Sequence, residues 1–230
     1  MKTIGLIGGM SWESSAIYYE LLNKLVKDKL GGYHSAKSVM VSVDFSEIEK
    51  LQKKGDWKAL TQHMIASSKQ LEKSGADFII LCTNTMHLCS EEIINNTTIP
   101  FLHIADATAS KIKSKGLQKV ALLGTKFTME KDFYKTILHK YGIEVIIPEL
   151  VDREQIHQII YDELVLGKIE DNSRETFKHI IAKLKNDGAQ GVILGCTEIP
   201  LLIQQNDVDL PIFNTTEIHA EKAVEIALEV

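Results

Sequence analysis

The residues of this chain whose types and spacing suit chemistry fall in two short polar stretches, Thr83-Asn84-Thr85 and Cys196-Thr197-Glu198. Each follows an aliphatic run, Phe78–Leu81 in one case and Val192–Leu194 in the other. In parallel α/β sheets, ligands sit beyond the carboxyl ends of strands, where helix N-termini offer free N–H groups. Hydroxyls, an amide and backbone donors at such a place suit a carboxylate. A thiol there is expected to have a lowered pKa and to serve as a nucleophile or base. Most free cysteines are small buried apolar residues, and that reading is preferred for Cys82 and Cys89. For Cys196, the polar residues that follow it favour a functional role.

Both stretches belong to an internal repeat. Leu71, Gly75-Ala76 and Phe78–Leu81 before Thr83 match Leu184, Gly188-Ala189 and Gly191–Leu194 before Cys196, at a constant offset of 113 residues. A second apolar run follows each copy through a proline, at Pro100-Phe101 and Pro211-Ile212. The starts also match, Lys2–Gly8 against Lys119–Gly124. One Gly-Ala turn before an apolar run recurs in any α/β protein; three matched stretches in the same order indicate two copies of one unit.

The elements that must position these residues alternate between short Ile/Val/Leu-rich runs and longer helical patterns. Strands are expected at Thr3–Gly8, Ser38–Val43, Phe78–Leu81, Phe101–Ile104, Val120–Gly124, Glu144–Ile147, Val192–Leu194 and Ile212–Asn214. They lack polar alternation, as parallel strands buried on both faces do. Helices are expected at Ser14–Leu30, Trp57–Ser74, Ala105–Lys115, Thr128–Tyr141, Asp152–Leu166, Asn172–Asn186 and Glu217–Leu228. This order predicts an α/β fold of two pseudo-symmetric α/β domains with parallel-sheet cores. The domains would be 1–104 plus 213–230, and 105–212, with Glu217–Leu228 returning to the first. The active site is expected in the cleft between them, with Thr83 facing Cys196.

At 230 residues the chain can bury a large core, and its net charge of −5 gives no reason to expect nucleic acid or an anionic membrane as partner. No apolar run is long enough to span a bilayer, and the first residues carry no basic leader or cleavage site. Three cysteines suit reduced thiols in a cytoplasmic compartment better than a disulfide framework.

Other motifs are weaker. Gly5-Leu6-Ile7-Gly8-Gly9-Met10 has the wrong spacing for a dinucleotide fingerprint and no acidic residue about twenty positions later. It is read as a tight turn, with Ser11 or the next residues opening a helix beside the site. Its counterpart Gly124-Thr125-Lys126-Phe127-Thr128 offers hydroxyls for an anion, with Thr128 equally suited to be a helix N-cap. The eight histidines show no metal-ligand spacing. His87 and His103 lie near strand ends, and His87 is read as structural or supporting. No metal is expected.

Together with the repeat, Gly8-Gly9-Met10-Ser11, Thr83-Asn84-Thr85-Met86-His87 and Gly195-Cys196-Thr197-Glu198 resemble the aspartate/glutamate racemase family over nearly the whole chain. Family members typically place a cysteine at both strand ends. Here the first position holds Thr83, as in a branch with a Thr/Cys pair. The resemblance implies an amino-acid racemase that is independent of pyridoxal phosphate and other cofactors, commonly a homodimer. One residue removes the Cα proton and the other returns a proton to the opposite face. Cys196 would act on one face. Thr83, a poor acid, would relay a proton through water or a neighbour, or orient the substrate. Asn84, Thr85 and Thr197 would hold the α-carboxylate, with Met10, Thr125 and Glu198 also lining the site. Aspartate-selective relatives carry basic residues in two regions that here read Ser46–Gln52 and Glu163–Gly167. Neither holds an evident Arg, although Lys50 and Arg153 are near in sequence, and Gln52 resembles a neutral contact position. The range therefore includes aspartate, glutamate or a broader set of amino acids. Two other readings remain: a single-cysteine decarboxylase of malonate-like acids, and a non-catalytic amino-acid-binding protein.

Overall fold

A computed structural model describes residues 1–229. The elements in chain order are β1 (Ile4–Gly8), α1 (Trp12–Leu30), β2 (Ser38–Ser42), α2 (Phe45–Lys54), α3 (Trp57–Lys73), β3 (Phe78–Leu81), α4 (Ser90–Asn96), α5 (Ile104–Ser114) and β4 (Lys119–Gly124). They continue with α6 (Lys126–Glu130), α7 (Asp132–Lys140), β5 (Glu144–Ile146), α8 (Leu150–Asp162), α9 (Asp171–Asn186), β6 (Val192–Gly195), α10 (Ile199–Leu202), β7 (Ile212–Asn214) and α11 (Thr215–Leu228). The chain forms two compact units, Met1–Ile104 with His219–Val230, and Ala105–Ile218. The return to the first unit falls within α11 and not at 213, because β7 pairs with β6 and stays with the second sheet.

The first unit holds a parallel sheet in the order β2-β1-β3. Its layers follow from the two-residue period of a strand. Ile4, Leu6, Phe78, Ile80 and Cys82 face Tyr18, Leu22 and Val26 of α1 and Ala220, Ala223, Val224 and Ala227 of α11. Ile7, Ile79 and Leu81 face Leu60, Met64 and Leu71 of α3 and Ile48 of α2. The helix after residue 217 thus packs on the first unit, as the order of the repeat predicts. The same parity puts Cys82 in the α1/α11 layer, fully buried, where burial pushes its thiol pKa far up. Cys89 is also buried.

The second unit repeats the plan with sheet order β5-β4-β6-β7, all parallel. Ala121, Leu123, Val192 and Leu194 pack on Ile156 and Ile160 of α8 and Phe177, Ile180 and Leu184 of α9. Gly195 is required where the strands close up: a Cβ there would lie 2.8 Å from Leu123 O.

Several expected elements differ. Phe101–Ile104 is not a strand but a single parallel bridge, Ile79 to Phe101. By Ile104 the chain has already entered α5. The expected helix Thr128–Tyr141 is two helices, α6 and α7, separated at Lys131, whose ψ of 152° is extended. The helix expected over Asp152–Leu166 ends at Asp162 and gives way to a 3-10 turn, Leu164–Leu166, closed by Gly167. Helix α2 was not anticipated, although Asp44 caps it and Gly55 ends it in a left-handed conformation. Among the described residues, no helix is long and apolar enough to cross a membrane.

Candidate active site

Each unit presents a polar turn at the carboxyl end of its sheet. In the first, β1 runs into Gly8-Gly9-Met10-Ser11. Gly9 has φ +89°, and a Cβ there would fall 2.1 Å from Val43 O, so glycine alone lets the turn lie against the chain leaving β2. Serines fasten this turn. Ser11 caps α1, accepting from Ser14 N–H at 3.3 Å. Ser15 Oγ accepts from Gly9 N–H at 2.8 Å, and Ser14 Oγ donates to Cys82 O at 2.8 Å, tying β3 to α1.

Thr83 is the first residue past Cys82 and is half-buried, while Asn84 and Thr85, which open the 3-10 turn Thr85–Cys89, are buried. Gln52, on α2, is buried and donates to Met86 Sδ at 3.3 Å; Met10 belongs to the same apolar cluster as Met86 and Ile48. The structure therefore brings Met10, Gln52, Thr83, Asn84 and Thr85 to one end of the first sheet.

His87 supports Thr83 and is not a ligand. Its Nε2 accepts from Ile104 N–H at 3.2 Å, which leaves Nδ1–H to donate to Thr83 O at 2.8 Å. Its ring lies 4.5 Å from His103 and 5.9 Å from His219, centroid to centroid. Burial, then the neighbouring His103 and His219, push its pKa well down. His219, a residue the sequence reading missed, accepts from Tyr18 OH at 2.8 Å through Nδ1 and donates from Nε2 to Leu102 O at 3.0 Å. Burial lowers its pKa to about 4. A histidine with a depressed folded-state pKa stays neutral while the unfolded chain protonates, so stability is full above the unfolded value of about 6.5 and is lost as pH falls toward about 4. His219 alone should cost on the order of 3 kcal/mol across that window. Denaturant midpoints from pH 7 to 4 should fall in the wild type and flatten by about one proton in His219→Gln. An unchanged pH slope in the variant would show that His219 does not titrate there.

In the second unit, Thr125 follows β4 and is the N-cap of α6, accepting from Thr128 N–H at 3.3 Å with the two hydroxyls 3.2 Å apart. The cap is thus Thr125, and Thr128 is the capped residue. Arg153 is committed elsewhere, to Glu130 at 3.0 Å and Pro148 O at 2.7 Å, and Lys50 is exposed on α2.

Cys196, Thr197 and Glu198 follow β6 and are all buried. Cys196 Sγ donates to Glu198 Oε2 at 3.0 Å, and Thr197 Oγ1 donates to the same oxygen at 2.6 Å. Burial and the Glu198 charge raise the Cys196 pKa well above its ordinary value, which overturns the expected lowered thiol. The magnitudes decide this. Helix α10 has only four residues, and a helix end stabilises a charge by roughly 0.3–1 kcal/mol. A carboxylate about 4 Å away acts against the thiolate by about 4 kcal/mol at an effective dielectric of 20. Cys196 at rest is a thiol with a carboxylate acceptor, not a thiolate. Thr215 and Thr216, which follow β7, were missed, although Asn214-Thr215-Thr216 is a polar strand end of the same kind. Among the described residues, no group of three or more His, Cys, Asp or Glu could hold a metal ion.

Two parallel-sheet units, with a hydroxyl turn at the end of one sheet and a thiol turn at the end of the other, define an α/β protein with a polar strand end in each copy. The chain belongs to the Asp/Glu/Hydantoin racemase family, whose profile it matches over residues 7–223. A structure of a candidate Asp/Glu racemase from Yersinia pestis is 51% identical, with a TM-score of 0.94 and 100% of both chains covered. An aspartate racemase homologue from Pyrococcus horikoshii OT3 is 36% identical, with a TM-score of 0.87 and again 100% of both chains. Among curated proteins, the broad specificity amino-acid racemase RacX of Bacillus subtilis is 26% identical over 172 residues, 74% of this chain and 73% of its own.

Proposed function

We propose that this protein racemises amino acids, aspartate and glutamate or a broader set, with both half-sites serving one substrate. Cys196 acts on one face of Cα and Thr83 on the other. The observation that carries this reading is the equivalence of the two residues: each is the first past the matching register pair at the end of its copy, Cys82 N–H to Ile7 O in one and Gly124 with Gly195 in the other. The names of the relatives point to the same chemistry.

Cys196 begins as a thiol. As substrate enters, its proton passes to Glu198 Oε2, the atom it already donates to, and the thiolate takes the Cα proton. Asn84, Thr85 and Thr125 supply donors for the carboxylate and for the charge that spreads onto it, while the Thr197 hydroxyl stays on Glu198. A proton then returns from the Thr83 side, through water or a neighbouring group.

Incubation with L-amino acids in D2O tests this. Racemisation gives α-deuterium with inversion, a decarboxylase releases CO2, and a binding protein does neither. The L and D forms have equal energy in water, so kcat/KM must be equal in both directions whatever the asymmetry of the pair. Thr/Cys asymmetry can appear as exchange without inversion. The wild type is expected to label L-aspartate faster than it inverts it, and Thr83→Cys to narrow that gap. Equal exchange and inversion rates in the wild type would show that Thr83, or a group it recruits, is a competent acid.

A further inference from the structure

Thr216 carries a buried hydroxyl that the fold does not use. The residue is 2% exposed, and its Oγ1 has no hydrogen-bond partner. A threonine at a helix N-cap spends its hydroxyl on a free backbone N–H. Here Asn214 Oδ1 takes that duty, accepting from Thr216 N–H at 3.1 Å. A buried donor left unpaired is costly, and folded proteins keep few of them without a reason.

The repeat shows that the hydroxyl is not a requirement of the turn. β6 pairs Val192 with Ile212, and in the first copy Ile79 pairs with Phe101. Counting forward from those partners, Thr216, the second residue of α11, corresponds to Ala105, the second residue of α5. The first copy builds the same strand-to-helix junction with a methyl group.

Register also places the residue. Gly124 pairs with Gly195, and Leu194 with Asn214. Leu194 and Asn214, the last paired residues of β6 and β7, each stand two positions before Cys196 and Thr216. Thr216 is in the first turn of a helix of 14 residues whose dipole favours an anion.

We infer that Thr216 is a substrate-contact residue, its hydroxyl donating to a carboxylate oxygen of the amino acid bound beside Cys196. This rests on the racemase reading for the identity of the ligand, but not for the presence of an anion-binding hydroxyl. It extends the second half-site from two strand ends to three.

The test is Thr216→Val, which keeps the shape and removes the donor, with Thr216→Ser as the variant that keeps it. Three quantities are measured on the same preparations: the Tm of the free protein, the affinity for L-aspartate and L-glutamate, and α-proton exchange in D2O. Thr216→Val should have a Tm equal to or above the wild type, since no bond is lost, and should bind aspartate about 10-fold or more weakly. Thr216→Ser should bind close to the wild type. A fall in Tm with unchanged affinity would make the hydroxyl structural and overturn the inference, as would no change in either. If Thr216→Val loses affinity but the wild type exchanges no α-proton, the racemase reading fails and the contact stands. If exchange is normal and Thr216→Val binds as the wild type does, the contact fails and the racemase reading stands. A wild type that binds neither aspartate nor glutamate overturns both.

Discussion

Cys196→Ala is expected to lower α-proton exchange into aspartate on the order of 10⁴-fold, the upper range for removing a general base, while the protein still folds and binds its ligand. The thiol is the only group in either strand-end turn that combines a titratable proton with an acceptor already in place, Glu198 Oε2 at 3.0 Å. Replacing a buried thiol by a methyl at a turn that keeps its other bonds should cost about 1 kcal/mol. Glu198 retains the Thr197 hydroxyl at 2.6 Å, so its charge is not left bare. Cys196→Ser separates base strength from hydrogen bonding: it can still donate to Glu198, but a hydroxyl gives up its proton far less readily. Both variants should lose inversion in both directions, because the step at Cys196 is common to L→D and D→L. Ligand-induced stabilisation should survive in both. Exchange at the wild-type rate in Cys196→Ala would place the base elsewhere and remove the mechanism.

Much of this arrangement was legible in the residues. The aliphatic runs before Thr83 and Cys196 are buried on both faces, so they show no polar alternation and read as parallel strands. The Gly-Ala turns fix where each begins. From these, the two copies, the sheet they build and the two strand-end turns followed directly. What escaped depends on partners far away in sequence or on a single rotamer. His219 sits beside Tyr18 and Leu102, residues 201 and 117 positions away, and nothing local in Ile218-His219-Ala220 announces that. Helix α2 was read through because its apolar positions are few, though Asp44 and Gly55 mark both ends. The fourth strand of the first copy was overestimated because Phe101-Leu102 looks like β7, but a single bridge forms before the chain turns into α5. The sign of the Cys196 shift could not be read from Cys-Thr-Glu. It turns on which way the Glu198 carboxylate folds, and it folds back onto the thiol.

That carboxylate gives the sharpest test of how the base is made. Two accounts make opposite predictions for Glu198→Gln. If Cys196 worked as a resting thiolate, Glu198 would be an obstacle, since its charge raises the thiol pKa, and removing it would speed the reaction. If the thiol hands its proton to Glu198 during the cycle, the amide ends that transfer, because a Gln oxygen accepts a hydrogen bond but does not hold a proton near neutral pH. The sign of the pKa change is the same in both accounts. Taking away a negative charge beside an acid stabilises its anion, so the Cys196 pKa falls toward its ordinary value. Burial remains as the larger cause and keeps the thiol raised. Glu198→Gln is therefore expected to show two opposed changes at pH 7. Alkylation of Cys196 by iodoacetamide, assigned by peptide mass to separate it from Cys82 and Cys89, should become faster, because more thiolate is present at rest. Racemisation should become slower by about 10²–10³-fold, the contribution of a positioned proton acceptor. The remaining activity should climb with pH as the thiolate fraction grows, since hydroxide from solvent can then replace the lost acceptor. Faster alkylation with equal or faster racemisation would mean that the resting thiolate is the base and that Glu198 only restrains it. Slower alkylation would mean that the carboxylate does not face the thiol in solution.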